Sequence, residues 1–301
     1  MKDWFEDNIK QHKSLFLEYG KVFGVALLSV LIFREVLFII DTINPKKLEV
    51  SFLDIGQGDA ILIQTPSGKN MVIDGGPNNL ILERLSNKIS YFDTTIDVMV
   101  STHPDADHVT GLIPILEKYD VKKIIVSPVL GHTGVFDDLT KHVDAEYADE
   151  YIAQTGDVID FHDGVIATIL YPSKNYHEKK NDTNDASVSL ELQYGNETFL
   201  LTGDLPSTEE SKLITAGLDK NITVYKAGHH GSKYSSGEQL LSYIKPEYTV
   251  ISAGKNNRYG HPNPETISRL EKYSKEIIST IDRGTITFIT DGRLIEVKTS
   301  K

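Results

Sequence analysis

Two histidines and two aspartates, His103, Asp105, Asp107 and His108, stand together in VSTHPDADHVTG, residues 100–111. Imidazole nitrogen and carboxylate oxygen are ligands that zinc and manganese take from side chains. The chain has no cysteine, so thiolate sites and disulfides are excluded and any metal must be held by these two ligand types. A helix cap would use one acid, not two acids flanked by two histidines. Pro104 keeps His103 out of helical geometry. In the extended loop that results, His103, Asp105 and Asp107 project to one side, and His108 turns at the start of a helix expected near Val109.

Four residues cannot hold two metals, so other segments must contribute. Asp204 closes the apolar run LLTGD, either as a ligand or as the cap of the PSTEE segment after it. His229 and His230 follow a strand in KAGHHGS, and burying two adjacent imidazoles needs two sets of partners. His261 lies between a strand and a helix in RYGHPNPE; taken alone it reads as a turn residue. Asp74 ends VIDGG, where it can anchor a neighbouring loop. Five separate strand ends thus carry His or Asp. The other histidines, His12, His132, His142, His162 and His177, lack this placement and read as surface residues.

The elements that position these residues follow from periodicity. LEVSFL, DAILIQT and NMVIDGG are short β-rich runs punctuated by Gly, Pro and Asn, as in an antiparallel meander. NLILERLSNKI is helical in period, IDVMVST is a buried strand, HVTGLIPILEKY a helix and KKIIVSP a strand. A polar, partly helical stretch runs to about Glu150. In the second half, ASVSLELQYG and TFLLTGD form a hairpin, and strands NITVYKAG and EYTVISAG alternate with helices STEESKLITAG, GEQLLSYI and PETISRLEKYSK. A closing hairpin turns at Asp291–Gly292. Two strand-and-helix halves imply an α/β fold of two sheets packed face to face with helices outside, a four-layer sandwich.

Residues 1–45 read as a separate part and residues 46–301 as one domain. Residues 22–40 are apolar apart from Arg34 and Glu35 and are long enough to cross a bilayer as a helix, at ~1.5 Å per residue. The alternative is a core helix or an interfacial amphipathic segment. Lys2, Lys10, Lys13 and Lys21 precede the run and only Lys46 and Lys47 closely follow it, which places the N-terminus inside and the domain outside. Net charge is −12, so the overall field disfavours sequence-independent binding to a phosphate backbone. A polyanion at a metal centre is still permitted, because the ions set the local charge.

The ordered motifs DIGQGDAILI, HPDADH, NDASVSLEL, LLTGD, GHHGSKYSS and SAGKNNRYGHP resemble the metallo-β-lactamase-fold hydrolases over residues 48–298. The family pattern is His-x-His-x-Asp-His, and Asp105 stands where the second histidine would be. In that departure the chain is similar to the metallohydrolase domain of the ComEC competence proteins. The resemblance implies an αββα metallo-β-lactamase sandwich with two divalent ions, zinc or manganese. It implies His103 and Asp105 on one ion, Asp107 and His108 on the other, and Asp204 bridging. His261 would complete the second site. His229 or His230 would complete the first or assist the leaving group. Asn184 takes the place of the family's middle histidine, Asp74 supports the metal loop, and Asp54, Gln57 and Asp59 face the site. The expected catalytic residues are Asp107, His229 and His230. Lys233 and Arg258 either hold a phosphate oxygen or are solvated surface charges.

The implied activity is that of a phosphodiesterase or nuclease using metal-activated hydroxide on nucleic acid or a phosphorylated envelope component. With one spanning helix at most, the chain is expected to be a stand-alone, single-pass, membrane-tethered relative with an extracytoplasmic domain. The alternatives are hydrolysis of another ester class, or a catalytically degenerate binding partner in DNA uptake or envelope processes.

Overall fold

The computed structural model describes residues 19–36, 47–146, 148–174, 176 and 182–301. Contacts divide the chain into two units, residues 1–46 and 47–301. In the first unit, residues 19–36 form one helix whose apolar side chains, Val22, Phe23, Leu28 and Phe33 among them, are exposed. This stretch carries Lys21, Arg34 and Glu35, and among the described residues no helix is long and apolar enough to cross a membrane. The polar N-terminal segment through residue 18, residues 37–40 of the expected span, the linker through Lys46, His12 and His177 lie outside the described residues.

The second unit is built on two mixed sheets. The first contains β1 (Leu48–Phe52), β2 (Ile61–Gln64), β3 (Asn70–Ile73), β5 (Val98–Ser101), β7 (Lys123–Val126) and β8 (Asp149–Ile152). Short strands β4 (Thr95–Ile96) and β6 (Asp120–Val121) pair beside it. The second sheet contains β9 (Val158–Asp160), β10 (Val165–Tyr171), β11 (Ser189–Tyr194), β12 (Glu197–Leu201), β13 (Val224–Lys226), β14 (Tyr248–Ile251) and β15 (Glu276–Ser279). The closing hairpin of β16 (Ile286–Thr290) and β17 (Ile295–Thr299) returns to the first sheet beside β1. Each sheet begins as an antiparallel meander and turns parallel: β3, β5, β7 and β8 in the first, β12 to β15 in the second.

Strand alternation sets the layers. On β3, Met71 and Ile73 enter the core between the sheets while Val72 faces the helices; on β12, Phe199 and Leu201 face inward and Leu200 outward. Phe288 of β16 meets Phe52 and Phe199 edge-to-face at 5.9 and 6.1 Å, which ties the two sheets together. The first sheet's outer face is covered by helices Leu80–Ser86, Leu112–Lys118 and Gly134–Ala145. The second is covered by Ser211–Thr215, Glu238–Ile244 and Pro264–Tyr273. The inner strands β3, β5 and β12 are buried along their whole length, which is why they read as nearly unbroken apolar runs.

Three local details differ from the sequence expectations. The helix after HPDADH begins at Ala106, not near Val109, so Asp107 and His108 sit inside its turn and Asp105 at its cap position. The STEESKLITAG helix is confined to Ser211–Thr215, because Glu209 and Glu210 are buried in tertiary contacts before it starts. Strands β8 to β10 occupy the region after Gly134–Ala145, where β8 exposes all four residues and offers no burial pattern to read.

Candidate metal centre

Asp74, His103, Asp204, His229 and His230 all lie just beyond the C-terminal ends of β3, β5, β12 and β13, at one edge of the sandwich. Asp74 takes left-handed φ (57°) directly after β3 and is fully buried. Its Oδ1 accepts from the Thr102 backbone N–H (2.8 Å), and its Oδ2 accepts from the Thr102 hydroxyl (2.6 Å) and from His108 Nδ1 (2.7 Å). Having donated its proton to Asp74, the Thr102 hydroxyl accepts from His103 Nδ1 (3.0 Å). One carboxylate thereby turns the Nε2 atoms of two imidazoles to the same side. His229 and His230 both adopt left-handed φ, 49° and 55°, a conformation disfavoured for side chains larger than glycine. His230 Nδ1 donates to Ser252 O (3.0 Å) and lies 3.3 Å from Asp59 Oδ1, so its Nε2 also faces the centre.

Four atoms close on one small volume. His108 Nε2 and His230 Nε2 are 3.3 Å apart, each is 3.4 Å from Asp204 Oδ2, and His230 Nε2 is 3.6 Å from Asp107 Oδ2. Ligands ~2.1 Å from a tetrahedral ion stand about 3.4 Å from one another, so this spacing fits an ion held among them. Asp59 also offers an oxygen to the buried set of Asp59, His108, Asp204 and His230. Beside it, His103 Nε2 stands 4.0 Å from both Asp105 Oδ2 and Asp204 Oδ2, and His229 Nε2 stands 3.6 Å from Asp204 Oδ2. Among the described residues, the buried His103 Nε2 and Asp204 Oδ1 have no hydrogen-bond partner, as expected of atoms that hold an ion.

The cluster's electrostatics demand positive charge. Burial pushes His230 down, but Asp204, Asp59 and Asp107 outweigh it and raise the imidazole to about 9. His108 is likewise raised well above the usual range against burial, by Asp204 and Asp74. Burial opposes ionisation of Asp204, yet His230 and His108 hold it well below the ordinary carboxylate range. Burial, with Lys226 and His230 acting against it, leaves Asp59 at about 2. His103 is different: burial and the neighbouring His108 keep it lowered, and therefore a neutral, ligand-ready imidazole.

Other expected residues fall around this core. The His261 ring packs 5.4 Å from His229 and stacks on Tyr259 at 5.8 Å; among the described residues it has no carboxylate within 4.0 Å. Burial and the two neighbouring histidines lower it to about 4. Asn184 lies in the turn Asn184–Ala186 with a buried Oδ1 that has no hydrogen-bond partner among the described residues, and its neighbour Thr183 donates to Asp105 Oδ1 (2.6 Å). Gln57 Oε1 accepts from Gly254 N–H (3.2 Å). Asp54 turns away to pair with Lys301 (2.7 Å). Lys233 is exposed over the Tyr234 ring, 5.0 Å from its centroid. Arg258, Tyr259, Gln57, Asn78 and Asp107 line a cleft of about 530 Å³.

Sequence reasoning missed Thr102, Thr183, Ser252 and Lys226. Only Lys226 left a signal, a lysine in an otherwise apolar strand. The loop before β2 is also packed tightly: a Cβ on Gly58 (φ +124°) would lie 2.1 Å from Asp107 O.

Residues 53–175 match the family described as the metallo-beta-lactamase superfamily. Together with the four-layer architecture and the buried Asp/His cluster, this match supports a metallo-β-lactamase fold for residues 47–301. The chain's curated relatives include ComEC-type competence proteins. It is 28% identical over 257 residues to ComE operon protein 3 of Bacillus subtilis (80% of this chain, 33% of that protein). It is 26% identical over 271 residues to Recombination protein 2 of Haemophilus influenzae (88% and 31%) and 27% identical over 251 residues to Competence protein ComA of Neisseria gonorrhoeae (82% and 33%). The chain spans about a third of the length of these relatives. Among solved structures, the metallo-beta-lactamase fold protein YhfI of Bacillus subtilis aligns with TM-score 0.55 at 11% identity (81% of this chain, 100% of that one). CmlA, a diiron beta-hydroxylase of Streptomyces venezuelae, aligns with TM-score 0.50 at 12% identity (78% and 53%). These two likenesses establish the fold alone.

Proposed function

We propose that this chain is a metal-dependent hydrolase of phosphodiesters, in nucleic acid or in a phosphorylated envelope component. The observation that carries the reading is the convergence of Asp107, His108, Asp204 and His230 at 3.3–3.6 Å. These four would hold one divalent ion. His103, Asp105 and Asp204, with His229 alongside, would hold a second. When bound, such ions polarise a phosphoryl oxygen and make hydroxide available at neutral pH. Asp105 in place of imidazole makes the second set richer in oxygen and favours manganese over zinc there.

The chain's own groups supply the rest. His229 is the partly open member of the histidine pair, its side chain 28% exposed, and stands where it can protonate a leaving oxygen. Arg258 shares the cleft with Asp107 and offers a planar fork to a phosphate oxygen. The names of the competence relatives support nucleic acid as the substrate class. The exposed apolar side chains of residues 22–33 support membrane association, and the lysines preceding them support an extracytoplasmic domain.

A one-ion reading is favoured by a specific observation. His103 stands 4.0 Å from its carboxylates, while the other set closes at 3.3–3.6 Å. Metal analysis of the purified chain decides between them. An aryl phosphodiester assay with wild type and Asp204→Ala tests the activity. Wild type is expected to bind metal and turn over the ester, and the variant to lose both. A wild type without metal, or a variant of equal activity, rejects the enzyme reading. Fractionation of the full chain against one lacking residues 1–45 tests the membrane association.

A further inference from the structure

The spacing of ligand-type residues does not single out Lys226, and the proposed reaction does not use it. Its side chain is fully buried. It projects from β13 on the same face as Val224, which belongs to the core between the sheets. An ammonium has three donors and no acceptor, and burying it is costly unless it is paired and hydrogen-bonded. Lys226 Nζ pairs with Asp59 Oδ2 at 2.6 Å and donates to Gly203 O (3.2 Å) and Ala227 O (3.1 Å).

Each acceptor belongs to a different loop of the metal centre. Gly203 immediately precedes Asp204. Ala227 opens the turn that carries His229 and His230. Asp59 ends the loop between β1 and β2, with its carboxylate 3.3 Å from His230 Nδ1 and 4.0 Å from His108 Nδ1. An apolar side chain would fill this position in the fold without any desolvation cost. What it could not do is hold three loop ends to one point.

We propose that Lys226 is a positioning residue of the metal centre. Its ammonium clamps Asp59 against His230 Nδ1, which aims His230 Nε2 at the ion. Through Gly203 and Ala227 it locks the loops bearing Asp204 and the histidine pair to the same spot. The proposal rests on the metal-centre reading above.

The test uses the full chain with Lys226→Met, and with Lys226→Met combined with Asp59→Asn. Zn²⁺ affinity is measured by chelator competition and melting temperature on the metal-free protein. Lys226→Met is expected to bind Zn²⁺ about 10–100-fold more weakly. The double variant leaves no unpaired charge, so its melting temperature returns to wild type. Its Zn²⁺ affinity stays about 10-fold or more below wild type, because the amide that replaces the carboxylate is no longer clamped against His230. A double variant that binds Zn²⁺ as tightly as wild type overturns the proposal while leaving the metal centre intact. A wild type that binds no Zn²⁺ overturns both. If neither variant folds, imidazole ¹⁵N shifts of the wild type decide: His230 is expected to be protonated on both nitrogens in the metal-free form and to keep only the Nδ1 proton in the Zn²⁺-loaded form. A loaded form with the proton on Nε2 overturns the proposal.

Discussion

Asp74 touches no solvent, yet it fixes two imidazoles, His108 directly and His103 through the Thr102 hydroxyl. The two routes separate by mutation. Asp74→Asn places an amide where three donors converge and is expected to weaken metal binding by about 10–100-fold. Thr102→Val keeps the Asp74–His108 bond and frees only His103, so the ion beside His103 should be lost and the other retained. Metal content after dialysis reads the difference; equal losses in the two variants would refute the relay through Thr102. Gly58 is a second residue with a sharp expectation. Its positive φ and its approach to Asp107 O leave no room for a Cβ. Gly58→Ala should lower stability by at least roughly 1–3 kcal/mol, seen as a reduced midpoint in chemical denaturation.

At the scale of elements, the loop from Gly228 to Gly237 carries the histidine pair and is held from below by Glu210. Its two oxygens accept from the backbone N–H of Ser236 (2.6 Å) and Gly237 (2.8 Å). Burial outweighs these bonds and the nearby Arg269 and pushes the carboxyl up to about 7 from an ordinary 4.5. Between those values the native chain keeps a proton here that the unfolded chain has released. Stability therefore falls as pH rises across that window, by on the order of 3 kcal/mol for a shift of this size. In Glu210→Gln the drop in melting temperature between pH 5 and pH 8 should shrink; an unchanged drop would show that Glu210 is not its source. The same loop marks the limit of what the sequence discloses. Strand ends such as LLTGD and VIDGG are legible because apolar alternation stops at a ligand-type residue. Adjacent His229 and His230 are not separable that way. Both leave the strand in left-handed φ, and only Ser252 and Asp59, distant in sequence, choose His230 for the buried position. Lys226 reads in sequence as a blemish in a strand; its meaning depends on three loops meeting.

For the whole molecule, the −12 charge and the buried Asp59, Asp74 and Asp204 pose one question: what cation keeps the acids at the edge of the sandwich together. Lys226 neutralises one of them. Protons on His108 and His230 can answer for the others, but they leave His103 Nε2 and Asp204 Oδ1 buried without hydrogen-bond partners among the described residues. A bound divalent ion satisfies the orphaned atoms as well as the charge. It follows that metal should be a structural term for residues 47–301 and not only a reagent. An ion present at 100 times its Kd stabilises the folded state by about 2.7 kcal/mol. In a domain of this size that corresponds to roughly 5–10 °C in melting temperature, at about 2–4 °C per kcal/mol. Calorimetry of the full chain before and after chelation should show such a fall, reversed by adding Zn²⁺ or Mn²⁺. In Asp204→Ala, which removes the carboxylate shared by both sets of ligands, chelation should no longer move the transition. A wild type whose transition ignores chelator would mean that protons alone hold the cluster, and the hydrolase reading would lose its physical ground.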